Sequence, residues 1–245
     1  MNVIVVKISG SILENEKNLD IVLDQLKEVL NNLNTLKCIL IIPGGGSYAN
    51  FIRKIDHRIS LEKDLSHWEA IYAMEYNATQ ILKKFPNLFS INKPEQLLDI
   101  LGGNKNKKFL SIFLPFEYLY EKDELPHEWN VTSDSVTAYI AYKLGISQCF
   151  LIKNVDGIIS KNGEIIREIA SNDLKTLIEN SNLKKIRSPN SEYKESQPID
   201  SYILNIIRNF NINVIILNGS TNKSKILNYF LKSKDREKVY TKIYS

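Results

Sequence analysis

The sequence predicts an α/β fold, a three-layer αβα sandwich around a mainly parallel central sheet, and three observations predict it. The apolar runs at 3–8 and 38–42 are continuous rather than alternating, as in strands buried on both faces. Each ends in a glycine-bearing turn, Ser9-Gly10-Ser11 after the first and Gly44-Gly45-Gly46 after the second. Between and beyond them apolar residues recur at helical spacing, so strands and helices alternate over the whole length.

Residues 3–8 make the first strand. Ile21, Leu23, Leu26, Val29, Leu30 and Leu33 then mark one face of a helix that returns the chain toward Cys38, a βαβ opening. Parallel strands need such crossovers, and a parallel sheet gathers ligands at the carboxyl ends of its strands, where both glycine turns stand. A helix is expected over 48–55, and a longer one from near Leu65 carries Trp68, Ile71, Tyr72, Met74 and Ile81 on its apolar side. Residues 84–106, punctuated by Pro86, Pro94 and Gly102-Gly103, read as a short strand, a helix over 95–101 and a turn. A strand at 109–114 is stopped by Pro115, and 121–126 is a polar loop. Val136, Tyr139, Ile140, Tyr142 and Leu144 are spaced as a helix with Gly145 as its stop, which puts Thr132, Ser133 or Asp134 at the helix start. There follow a strand at 147–152, a short strand at 165–169, a capped helix opened by Asn172-Asp173, and an exposed, mobile loop over 181–197. A helix from near Asp200, a buried strand at 214–217 and an edge strand at 239–244 complete the chain.

The chain of 245 residues is 43% hydrophobic, enough to bury a full core, which excludes collagen-like and disordered classes. Its 32 basic and 28 acidic residues leave a charge of +4 with no long block of one sign, so no nucleic-acid partner is expected. No apolar run approaches membrane-spanning length, and the opening Met-Asn-Val-Ile-Val-Val-Lys lacks the pattern of a signal peptide, so a cytoplasmic protein without membrane contact is expected. The two cysteines, Cys38 and Cys149, lie far apart in apolar runs, which suits a buried reduced pair.

Glycines at 44–46 let the backbone turn sharply and approach a ligand, and the helix start beyond them attracts an anion. A phosphate site, a dinucleotide fingerprint and a purely structural turn all fit that stretch taken alone. Thr132, Ser133 and Asp134 serve equally as an ordinary N-cap or as a carboxylate held at a site. His57 and His67 are candidates for chemistry or for capping, and Trp129, Tyr48 and Phe51 for an aromatic pocket or for core.

Four features coincide: Lys7-x-Ser9-Gly10-Ser11 after the first strand, Pro43-Gly44-Gly45-Gly46 after the second, Thr132-Ser133-Asp134 at a helix start, and Val155-Asp156-Gly157 after a later strand. Their order and spacing resemble the amino acid kinase superfamily over essentially the whole chain. Within it, the stretch 44–56, Leu65-Ser66-His67, Leu114-Pro115 and His127-x-Trp129-x-x-Thr132-Ser133-Asp134-Ser135 resemble the archaeal furan phosphate kinases of methanofuran biosynthesis, which turn a phosphate monoester into a diphosphate with ATP.

The resemblance implies the amino acid kinase fold in a single domain with two lobes, an acceptor side about 1–145 and a nucleotide side about 146–245. It implies Lys7 and Asp134 as catalytic residues, ATP and Mg²⁺ as cofactors with no residue assigned to the metal, a small phosphorylated substrate and a homo-oligomer. Ser9, Gly10, Ser11, Lys153, Asp156 and Gly157 would hold the nucleotide, with Lys153 also a candidate second cation. Gly44, Gly45, Gly46, Asn50, His67, His127, Trp129, Thr132 and Ser133 would hold the acceptor. Two departures stand out: Ser9 where many relatives have glycine, and Lys153-Asn154 where relatives often have Thr-Asp. A carboxylate kinase and a non-catalytic nucleotide-binding protein are the alternatives on the same fold.

Overall fold

The computed structural model describes residues 2–103, 107–184, 186–187, 195–196, 198–220 and 224–245. Strand β1 (Val3–Ile8) leads through a single-turn helix α1 (Gly10–Leu13) into α2 (Glu16–Asn32) and β2 (Cys38–Pro43). Helices α3 (Gly46–Ile59) and α4 (Lys63–Lys84) precede β3 (Phe89–Ile91), α5 (Pro94–Gly103), β4 (Phe109–Phe113), α6 (Pro115–Lys122), α7 (Ser133–Lys143) and β5 (Gln148–Lys153). A hairpin of β6 (Ile158–Ile159) and β7 (Ile165–Ile166) leads to β8 (Glu168–Ala170) and α8 (Ser171–Glu179), and two short strands, β9 (Ile186–Arg187) and β10 (Glu195–Ser196), pair with each other. The chain ends with α9 (Ile203–Phe210), β11 (Asn213–Asn218), α10 (Lys225–Leu231) and β12 (Thr241–Tyr244).

Eight strands form one sheet in the order β3-β4-β2-β1-β5-β11-β12-β8, with every pairing parallel except β11 with β12. Successive side chains of β1 leave opposite faces, as the pleat requires. Val3 and Val5 join a core with α7 and α9, while Ile4, Val6 and Ile8 join one with α1, α2 and α10. These two cores are the reason the strand runs are apolar throughout: each residue meets a helix layer on one side or the other. Both cysteines are free and buried, and no described helix is long and apolar enough to cross a membrane.

Several expectations change in detail. Pro115 stops β4 but also opens α6, because proline lacks the N–H that the first helical position leaves unused. The run 165–169 divides at Arg167: β7 folds back on β6, while β8 joins the main sheet. The guanidinium of Arg167 marks the division by donating to the carbonyls of Asp235 and Lys238 at 2.7 and 2.6 Å. Strand β12 lies inside the sheet, and β8 covers it as the edge. Helix α3 continues to Ile59, and α10, too short to show a period, was not foreseen. The loop expected over 181–197 falls largely outside the described residues.

Candidate active site

The carboxyl ends of β2, β1, β5 and β11 lie side by side, and hydrogen bonds fasten the turns that leave β1, β2 and β11. Ser9 N–H donates to Ile152 O at 3.0 Å, Gly44 N–H to Ile8 O at 2.8 Å, and Gly219 N–H to Lys153 O at 2.8 Å. A Cβ on Gly10 would fall 2.3 Å from the Cα of Gly46, so the two glycine turns meet backbone to backbone. Gly46 also has φ +59°, which glycine adopts without penalty.

Beneath this junction Lys7 Nζ donates to Asp134 Oδ1 at 2.9 Å, and Lys153 Nζ donates to Asp134 Oδ2 at 2.6 Å. The carboxylate therefore carries an ammonium on each oxygen, and Lys7 and Asp134 are only 5% and 3% exposed. Burial would raise the Asp134 carboxyl, but Lys153 and Lys7 outweigh it and hold it down to about 2. Burial lowers Lys153 to about 8, with repulsion from Lys7 on the same side and attraction to Asp134 opposing. The trio keeps one net positive charge in a water-poor place, where it acts strongly on an incoming anion.

Asp134 is placed by an N-cap and a second carboxylate. Thr132 caps α7, its Oγ1 accepting from Asp134 N–H at 3.3 Å. Asp200 accepts from Thr132 N–H and Oγ1 at 3.1 and 2.7 Å, from Ser135 N–H and Oγ at 3.1 and 2.6 Å, and from Ile203 N–H at 2.8 Å. Burial and then Asp134 raise the Asp200 carboxyl despite these donors. The two readings of Thr132-Ser133-Asp134 thus both hold in geometry: the segment is a cap, and it sets a carboxylate between two lysines.

Above the trio opens a cleft of about 1090 Å³. Ser9, Gly10, Ser11, Gly45, Gly46, Asn50, His67, His127, Trp129, Thr132 and Ser133 line it, together with Asn154 and Ser220 on the β5–β11 side. Gly44 sits just below, where a Cβ would lie 3.3 Å from Lys7 Cε. Asp156 and Gly157 are not in the lining. Asp156 is bound by Lys225 and Asn218, and a Cβ on Gly157 would strike Thr241 Oγ1 at 2.3 Å, so that turn packs against β12. Tyr48 and Phe51 are 40% and 55% exposed and also lie outside the lining, because they leave α3 on its solvent side.

His127 gives both ring nitrogens to carboxylates, Nδ1 to Asp64 and Nε2 to Asp123, each at 2.7 Å. Burial would lower it, but the two acids outweigh that and raise it, leaving no ring N–H for a substrate phosphate. His67 stacks on it with ring centroids 4.2 Å apart. Burial and then the neighbouring His127 lower His67 to about 4, so it stays neutral.

Three residues without an assigned role also belong here. Arg53 donates to Trp129 O at 3.3 Å and lies 4.8 Å from the centre of its ring. Asp56 Oδ2 accepts from Trp129 Nε1 at 2.6 Å, and Asp200 organises the start of α7 as described. Asp200, three residues before α9, has the look of a cap in sequence, which signals its local bond to Ile203 but not its bonds to α7.

The pattern of the amino acid kinase family matches residues 2–218. The chain belongs to the amino acid kinase family. Membership makes it an ATP-dependent phosphotransferase. It is 29% identical over 98% of its length to the [5-(aminomethyl)furan-3-yl]methyl phosphate kinase of Methanocaldococcus jannaschii, 96% of which is covered. An acetylglutamate kinase of a Hydrogenobaculum species is 32% identical over 42% of this chain and 33% of that one. Among solved structures, UMP kinase from Ureaplasma parvum aligns over 100% of both chains with a TM-score of 0.68 and 17% identity. Aspartate kinase from Synechocystis aligns over 91% of this chain and 38% of its own, with a TM-score of 0.61 and 12% identity. These two likenesses establish the amino acid kinase fold.

Proposed function

We propose that this family member transfers the γ-phosphoryl group of ATP to a small phosphate monoester, giving a diphosphate, with aminomethylfuranyl-methyl phosphate or a close relative as acceptor. The observation that carries this reading is the pair of ammonium groups, Lys7 buried and Lys153 partly so, held on one carboxylate where the two glycine turns touch. A phosphate acceptor oxygen is already anionic near neutral pH, so no general base is needed, and repulsion between two anions is the problem to be solved. An acceptor oxygen attacks the γ-phosphorus, the bridging bond to the β-phosphate breaks, and ADP leaves with that electron pair. Lys7 meets the transferring group, Asp134 orients it, and Lys153 supplies the second cation. The backbone of Ser9, Gly10 and Ser11 takes the nucleotide phosphates, Gly44–Gly46 the acceptor side, and Arg53 the acceptor's own phosphate.

Among the described residues no three His, Cys, Asp or Glu side chains gather as metal ligands. Each oxygen of Asp134 already accepts from an ammonium, and those two positive charges oppose a metal ion beside it. The chain fits Mg²⁺ as an ion carried chiefly by the nucleotide phosphates, where it neutralises charge. The same reading takes the chain as a single domain with an acceptor side about 1–145 and a nucleotide side about 146–245, working in the cytoplasm. The exposed Tyr48, Tyr72 and Tyr76 of α3 and α4 offer a homo-oligomer a surface to bury.

The test is turnover of aminomethylfuranyl-methyl phosphate, UMP and acetylglutamate with ATP, with ³¹P NMR of the product and hydroxylamine present in parallel. A diphosphate is expected, and its loss in Lys7→Ala. A hydroxamate would instead identify a carboxylate acceptor, the reading favoured by the acetylglutamate kinase match. Near-native rates in Lys7→Ala would overturn the mechanism.

A further inference from the structure

We infer that the wall of the cleft around Trp129 binds a primary ammonium at the end of the acceptor remote from its phosphate, and that Asp56, Glu128 and His67 select for it. The inference rests on the phosphate-acceptor reading for which end of the substrate lies where. Asp56 and Glu128 both line the cleft, and among the described residues neither carboxylate has an ion-pair partner. Asp56 is fixed by the bond from the Trp129 indole to Oδ2, which leaves Oδ1 for a ligand. Glu128 is the residue next to Trp129 in sequence.

The independent observation is His67. It is only 7% exposed, it lines the cleft, and among the described residues nothing hydrogen-bonds to either ring nitrogen. Its ring nitrogens are not sealed away without a partner, so they open onto the cleft. The ring is held in place by face-to-face contact with His127 and edge-to-face contact with Trp68, 4.7 Å between centroids. Because it is neutral, one ring nitrogen offers a lone pair, which an ammonium can donate to and a phosphate cannot. His127 itself is not the competing partner, since Asp64 and Asp123 absorb both its N–H groups.

Spacing agrees. Arg53 and Asp56 are three residues apart on α3, and side chains so spaced stand roughly 5–6 Å apart at Cβ on one face. A compact molecule with a phosphate at one end and an ammonium at the other spans such a pair, with the guanidinium taking the anion. Arg53 lines this wall as well, and its guanidinium discourages an ammonium from binding in the reverse sense. Trp129, held between Arg53 and Asp56, gives the middle of the ligand a flat surface.

Ligand-observed NMR titration with furfurylamine and furfuryl alcohol tests the subsite without turnover. The wild-type protein at neutral pH is expected to bind the amine about tenfold or more tightly, the worth of one charged hydrogen bond. That preference is expected to fall about tenfold in Asp56→Asn/Glu128→Gln and by about threefold in His67→Leu. Equal binding of amine and alcohol by the wild type overturns the inference even if every variant misfolds, and so does a preference that survives in the folded double variant. Turnover of aminomethylfuranyl-methyl phosphate beside its hydroxymethyl counterpart separates the two claims. Equal kcat/KM for both overturns the ammonium subsite while upholding the phosphate acceptor. An amine preference in binding without turnover of any phosphate monoester upholds the subsite and refutes the acceptor reading.

Discussion

At the floor of the cleft, Lys7 and Lys153 share the single carboxylate of Asp134 and are held by it, whereas on the wall Arg53, Asp56 and His67 keep capacity in hand. The floor is set by strand ends in the middle of the sheet, and the wall by α3, α4 and the loop before α7. On the function proposed above, the difference separates two tasks. Charge that must act on a phosphoryl group in transit gains from being dry and preorganised. Groups that choose among acceptors must be left unpaired until the acceptor arrives, since an unmet partner is what rejects the wrong one. Mutations at the floor should therefore cost turnover, and mutations on the wall should cost recognition.

The hardest blow to that comparison comes from Asp134→Asn. Loss of the carboxylate charge releases both lysines, and kcat is expected to fall by about 10³-fold in steady-state assays. A mere rise in KM would show that the floor serves binding instead. Gly10→Ala is the next largest: its Cβ would meet the Gly46 backbone at 2.3 Å, so the two turns must part. A displacement of that kind is expected to lower kcat by about a hundredfold with the fold retained, as circular dichroism would report.

The pH profile sharpens the comparison further. Lys153 has its proton below about 8 and loses it above, so the second cation disappears as pH rises. If that cation acts on the phosphoryl group, kcat/KM falls by about tenfold per unit on the alkaline side, and Lys153→Arg straightens the limb. A flat profile to pH 10 in the wild type would assign Lys153 to structure alone. The smallest effect belongs to the wall: Arg53→Lys keeps the charge but loses the planar fork, and KM for the acceptor should rise about tenfold with kcat within about twofold. A change confined to kcat would place Arg53 with the floor.

Much of the floor was legible from residue type and order. Lys7 and Ser9-Gly10-Ser11 follow an apolar run directly, and Gly44-Gly45-Gly46 follows another, so each is a strand end by local pattern. Thr132-Ser133-Asp134 announced a helix start, but not what that start faces. The wall was less legible. Arg53 meets Trp129 across 76 positions, Asp56 across 73, and Asp200 meets Thr132 across 68. Nor does the sequence show that two carboxylates take the ring nitrogens of His127, or that the Asp156-Gly157 turn packs against β12.

By itself, then, the sequence determined the strands, the crossovers and the glycine turns, because continuous apolar runs and glycine conformations are local consequences of side-chain chemistry. The tertiary structure alone decided which charges meet. Lys7 and Asp134 lie 127 positions apart and Lys153 and Asp134 only 19, yet both lysines reach the same carboxylate. Parallel register aligns the ends of β1 and β5, the cap at Thr132 aims α7 between them, and the buried Asp134 carboxylate is met by both ammonium groups.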